Sequence, residues 1–307
     1  MTSKCENSEA RLRRPRPLEE RVVSHVLGAC AVLCVATTAG IIAVLLTQSV
    51  AFFKGVSLWQ FLCDTQWTPL FTDKHFGIWA LVCGTLLTSV IALAVAVPLG
   101  LLGAVYLSEY ASQTVRHFLK PAVEVLAGIP TVIYGYFALT FITPILQKIV
   151  PGLAGFNALG SGVVMGIMIL PIIASLSEDA IHAVPSSLRE GAYALGGGKF
   201  AAIRRVVLPT SFSGIAAAVI IGMSRAVGET MIVAIAAGQQ PRFTLDPRVP
   251  IETMTAYIVQ VSMGDTPTGT LEYHTIFAVG MMLFIVTMTL NIASYYLRKR
   301  MTRGAAT

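Results

Sequence analysis

The sequence predicts an all-α, polytopic membrane protein of about six transmembrane helices, on three observations. Charged residues make up 12% of the 307 and hydrophobic ones 55%, for a mean hydropathy of +0.72; a soluble domain carries about a quarter charged. Six stretches are long and apolar enough to cross a hydrocarbon core that takes roughly 20 helical residues. Lys and Arg divide unevenly between the two sides those stretches define. Disorder and a secreted disulfide scaffold are excluded. The cysteines are Cys5, Cys30, Cys34, Cys63 and Cys83, and only Cys63 falls in a sizeable outer loop, so no disulfide framework is implied.

In chain order the spans fall near 22–50, 77–107, 124–147, 158–177, 209–238 and 274–297. The first follows a basic segment, as a signal peptide would, yet it runs without Lys, Arg, Asp or Glu from Val22 to Phe53. A cleavable apolar region covers about 7 to 15 residues, so this one is a retained helix. The second contains Pro98, a kink. The third holds Gly128-Ile129-Pro130-Thr131 and Tyr134: Pro130 removes a helix hydrogen bond, and the motif reads either as a kink at a helix crossing or as a pathway lined by Thr131 and Tyr134. The fourth is the weakest, interrupted by Gly160, Gly162, Gly166 and Pro171, although membrane helices tolerate both residue types.

With the N-terminus inside, 16 Lys and Arg fall on that side and 5 on the other, which places both termini in the cytoplasm. The net charge of +6 is then a topology signal and a membrane-surface contact, and no nucleic-acid partner is expected. One membrane domain, 22–300, lies between cytoplasmic tails 1–21 and 301–307.

The fifth span carries Ser224-Arg225-Ala226-Val227-Gly228-Glu229-Thr230, with Arg225 close to the midpoint of the run from Pro209 to Gly238. An arginine at the bilayer centre costs at least about 2.5 to 3.5 kcal/mol, so it faces protein or water. Glu229 follows four residues later, one turn along the same face of a continuous helix. Two readings stand: an internal ion pair that fixes packing, or a guanidinium that meets an anionic solute bidentately, held by Glu229 between turnovers. Ser224 and Thr230 add hydroxyls to such a path or bond their own helix backbone.

Between the fourth and fifth spans, Arg189-Glu190-Gly191-Ala192-Tyr193-Ala194-Leu195-Gly196-Gly197-Gly198-Lys199 runs on to Leu208-Pro209. It reads as helix, glycine break, helix, starting at Pro185-Ser186. The segment is similar to the cytoplasmic signature of ATP-binding-cassette (ABC) importer permeases: Glu190, Ala192, Gly196, Leu208 and Pro209 fall in register, while Gly191 and Val206 replace an Ala and an Ile. With the Arg225 and Gly128 motifs, the chain resembles the permease subunits of the phosphate-specific transport (Pst) system, nearer PstC than PstA, over roughly residues 75 to 300. The resemblance implies a type I ABC importer permease fold in the bacterial inner membrane, and a coupling helix, turned at Gly196, docking on a separate ATPase. It implies phosphate uptake by alternating access with a PstA-like second permease, two PstB-like ATPases holding ATP and magnesium, and a PstS-like external binding protein. No cofactor is expected in this chain.

Other classes fit less well. Gly198-Lys199 lacks the P-loop context, with Phe200 where Ser or Thr must bind magnesium and Tyr193 where the first Gly belongs. His25, His75, His117, His182 and His274 sit near span ends or in loops, without a zinc-ligand helix motif. A secondary transporter would also use an intramembrane Arg and Glu, and sulfate, molybdate or phosphonate would welcome Arg225 as phosphate does. The outer loop from Gln239 to Tyr273, with Asp246, Glu252, Asp265 and Glu272, is a binding-protein surface or a solvated connector.

Overall fold

A computed structural model describes residues 18–304, with side chains from Val22 to Tyr296. The expected tails fall outside it at 1–17 and 305–307, along with Cys5. Eleven helices follow among the described residues. These are α1 (Leu18–Gly55), α2 (Leu58–Cys63), α3 (Trp79–Tyr110), α4 (Gln113–Ala127), α5 (Thr131–Ile149), α6 (Ala158–His182), α7 (Ser186–Ala194), α8 (Lys199–Val227), α9 (Met231–Ala236), α10 (Met254–Met263) and α11 (Leu271–Gly304). Six of them, α1, α3, α5, α6, α8 and α11, are long and apolar enough to cross a membrane. Because α11 reaches Gly304, part of the expected C-terminal tail is helix.

The chain forms two units, Met1–Gln48 and Ser49–Thr307. The side chains of α1 from Val22 to Gln48 are nearly all exposed.

In the second unit, α6 has more of its length buried than any other span, although its glycines made it the weakest stretch in the sequence. Those glycines are its packing surface. A Cβ at Gly166 would stand 2.8 Å from the Ala92 carbonyl oxygen of α3, so only glycine lets the two backbones come this close, the means by which membrane helices associate without a hydrophobic drive. A core of Ala92, Met165, Ile169, Ile173, Ile232 and Val233 fills the contact.

Two spans change their hydrogen-bond register just before a proline. Residues 138–142 in α5 and 203–207 in α8 form π turns, two residues ahead of Pro144 and Pro209. A proline has no N–H to give, and the wider turn absorbs the fault inside a continuous helix.

The loops segregate onto two faces, as alternating spans require. On one, Ala154 N–H donates to Arg248 O at 3.0 Å, and Lys74 pairs with Glu272 at 2.5 Å. Trp67, Phe52, Phe61, Phe76 and Tyr257 form an aromatic cluster there. The expected outer loop is therefore no simple connector: α10 lies within it and buries Met254, Ala256, Tyr257 and Val261. On the opposite face, Lys120 pairs with Glu178 at 2.6 Å and with Asp179 at 2.8 Å, and Arg116 also pairs with Glu178.

A Cβ at Gly84 of α3 would lie 2.2 Å from the Glu252 carbonyl oxygen. That neighbour is backbone and cannot rotate away. Gly84→Ala is expected to destabilise the protein by at least about 1 to 3 kcal/mol, measured as a lowered unfolding temperature in detergent. Gly103→Ala, with nothing within 4 Å of the added carbon, is the near-neutral control.

Candidate functional site

The fifth span stops earlier than its hydropathy suggests. The helix α8 ends at Val227, Gly228 is its C-terminal cap, and α9 starts at Met231. Arg225 therefore sits in the last turn of α8 rather than midway along one helix. It is exposed, and its Nε donates to the Met168 Sδ of α6 at 3.3 Å, a weak acceptor.

Glu229 does not hold Arg225. The one-turn spacing that would stack the two needs an unbroken helix, and the break removes it. Glu229 is 8% exposed, and its Oε1 accepts from the Met231 N–H at 3.1 Å and the Ile232 N–H at 3.5 Å, serving the unpaired donors at the start of α9. Its carbonyl accepts from Thr255 Oγ1 of α10 at 2.7 Å. The guanidinium is thus left without a carboxylate among the described residues.

The hydroxyls beside the break divide. Ser224 reaches across to α11, donating to Asn291 Oδ1 at 3.2 Å, whereas Thr230 turns back to the Gly228 carbonyl at 3.4 Å. The third-span motif starts α5 at Thr131, because Gly128 to Pro130 separate it from α4. Tyr134 is 6% exposed and packs in the core, its hydroxyl donating to the Leu126 carbonyl at 2.8 Å. It ties the two helices together. Thr131 is half-buried.

The second constellation lies on the opposite face. Helix α7 contains Glu190, Gly191 and Ala192 and buries none of its residues. Gly196 turns the chain with φ +79°, a backbone region that favours glycine, and Gly197 N–H closes the turn onto the Ala192 carbonyl at 3.0 Å. Leu208 and Pro209 follow the π turn of α8. Exposed Leu188, Tyr193, Leu195 and Phe200 give the segment an apolar surface; Leu195 is 91% exposed.

Sequence reasoning missed what holds that segment. Arg189 Nη2 donates to Glu109 Oε1 at 2.9 Å and to the Ile181 carbonyl at 2.9 Å, and Nη1 donates to the Val184 carbonyl. One guanidinium therefore joins the C-terminal ends of α3 and α6 to α7. Lys199 lies 4.6 Å over the Tyr110 ring, fixing the start of α8 to the same corner. The only signal in the sequence was an acidic residue, Glu109, at the end of an uncharged run.

With this geometry in hand, comparison with known proteins is specific. The family profile of binding-protein-dependent transport system inner membrane components matches residues 96–303. The phosphate transport system permease protein PstC of Mesorhizobium japonicum is 36% identical, covering 87% of this chain and 89% of its own. The probable ABC transporter permease protein YqgH of Bacillus subtilis is 32% identical over 94% of each. In fold, the chain is similar to a bacterial ABC transporter involved in import of the acidic polysaccharide alginate. The TM-score is 0.61 at 18% identity, covering 92% of this chain and 99% of that one.

Proposed function

The chain belongs to the binding-protein-dependent transport system inner membrane components, as a PstC-type permease of an ABC phosphate importer, and on that premise we propose that its cargo meets Arg225 where the fifth span breaks. It is a multi-pass inner-membrane subunit that works with ATPase and binding-protein partners. The observation that carries the site is an exposed guanidinium in an apolar span with no carboxylate among the described residues to neutralise it. A charge in such a span faces water or a ligand rather than lipid, and a planar fork suits a phosphate oxyanion.

ATP and magnesium belong to two PstB-like ATPases, a PstA-like permease completes the path, and a PstS-like protein delivers phosphate from outside. Both termini lie in the cytoplasm, a reading supported by the Lys and Arg bias and by the sorting of the loops. The exposed α7 and the turn at Gly196 seat an ATPase, and its closure moves α7, then α8 and Arg225, in alternating access. The anion is held weakly, because a tight site would not release.

The test is ATP-dependent uptake of radiolabelled phosphate by vesicles holding the whole complex. Uptake that excess sulfate and molybdate fail to reduce is the expected result; competition by either reassigns the cargo.

A further inference from the structure

We propose that the outer-face pocket over Glu252 is a cation socket that receives a lysine or arginine side chain of the external binding protein on docking. This rests on the orientation given above. The pocket encloses about 360 Å³, and its lining includes Trp67, Phe71, Gln239, Gln240, Glu252 and Tyr257. Glu252 and Trp67 are each 1% exposed, and Glu252 Oε1 has no hydrogen-bond partner among the described residues. A buried carboxyl oxygen at a pocket is costly unless something completes it.

The chemistry of the lining selects a cation. The walls contain no Lys, Arg or His, so the carboxyl has no internal counter-charge. Trp67 and Tyr257, edge to face at 5.1 Å, offer aromatic surface to an ammonium or guanidinium. Gln239 and Gln240 add amide oxygens. The placement is built in: Gln239 holds φ +49°, a strained value for a residue with a Cβ, and Gly84 seats the Glu252 backbone. At the rim, Leu70 and Phe71 are 46% and 66% exposed. An apolar collar around a polar centre suits a protein surface that excludes water from the contact. The floor leads inward, since Thr255 bonds the Glu229 carbonyl; an occupied socket thus bears on the break beside Arg225.

Docking then exchanges a proton for a cation. Burial pushes the Glu252 carboxyl up to about 8, so at pH 7 the free pocket is protonated, and the arriving cation sends that proton to solvent. Affinity therefore rises with pH, about tenfold per unit below 8, and levels above it. Among neighbouring groups, burial holds Tyr257 above its ordinary value and neutral. Asp64 is paired with His75, Lys74 with Glu272 and Asp246 with Arg248, and Arg242 donates to Gln240. His75 and His274 are the histidines near this face, and His75→Gln and His274→Gln separate their contributions from that of Glu252.

The experiment measures the Kd of phosphate-loaded binding protein on vesicles containing the assembled transporter at pH 6, 7 and 8. Tightening with pH is expected, unchanged in His75→Gln and His274→Gln; Glu252→Gln binds at least about tenfold more weakly at pH 8, with a flat profile. N-acetyl-lysine amide at millimolar concentration competes, and its norleucine analogue does not. Wild-type affinity and slope in Glu252→Gln overturn the proposal, as does affinity that falls with rising pH, the mark of a protonated carboxyl donating to an anion. Lysine amide that binds without disturbing docking also overturns it, leaving a free-amine site. The competition needs no variant, so it decides the matter even where Glu252→Gln fails to assemble. Docking is read apart from uptake, so a transporter that docks this way yet carries another oxyanion defeats only the phosphate reading.

Discussion

Arg225→Gln abolishes phosphate uptake, by at least about a hundredfold, while leaving assembly with the partner subunits intact; this is the largest effect expected of any single exchange. Glutamine keeps hydrogen-bonding capacity and removes charge and fork, so what is lost is the attraction for an oxyanion. Assembly survives because the side chain donates to a thioether, Met168 Sδ, and no carboxylate among the described residues is orphaned by its removal. Co-purification of the ATPase establishes assembly, and radiolabelled phosphate measures transport. Near-normal uptake would remove Arg225 from the path. Glu229→Gln supplies the contrast. Its amide oxygen can still accept from the Met231 N–H, so the cap persists and uptake falls far less than in Arg225→Gln. Glu229→Ala removes the cap, at about 0.5 to 2 kcal/mol of stability. Were Glu229 the counter-ion of Arg225, its glutamine variant would be nearly as damaging as that of Arg225.

Hydropathy located the six spans because each is a continuous apolar run, and the turn at Gly196 was legible because its glycines interrupt a polar one. The same measure extended the fifth span through Gly228-Glu229-Thr230, since apolar residues resume at Met231 and hydropathy does not register the backbone. The break was visible only as a capping pattern, a glycine followed by a carboxylate ahead of a new helix. Gly160, Gly162 and Gly166 lowered the fourth span's score for the reason that makes α6 central, namely that small residues bring helices together. Arg189 and Glu109 stand 80 residues apart, and Glu252 and Trp67 line one pocket from separate loops. Such pairings leave no spacing to read.

The second large effect belongs to Arg189. Arg189→Lys uncouples the transporter: ATP hydrolysis continues while phosphate moved per ATP falls at least about tenfold. Lysine keeps the charge but has no planar fork, and Arg189 uses three nitrogens to hold Glu109, Ile181 O and Val184 O at once. Glu109 is 7% exposed at its side chain, and a lysine that still pairs with it cannot also hold both carbonyls, which lets α7 move without α3 and α6. A merely structural role gives another pattern, with less assembled protein and an unchanged ratio of phosphate to ATP, and that result would sink the coupling role. Glu190, the next residue along α7, tells the two faces of the helix apart. Successive helical side chains point about 100° apart, so Glu190 is exposed while Arg189 is turned inward. Glu190→Gln is therefore expected to weaken ATPase docking, read as reduced co-purification, and the complexes that do form should keep the wild-type ratio. Loss of assembly at Glu190 and loss of stoichiometry at Arg189 together would separate the seat of the motor from the strut that carries its motion.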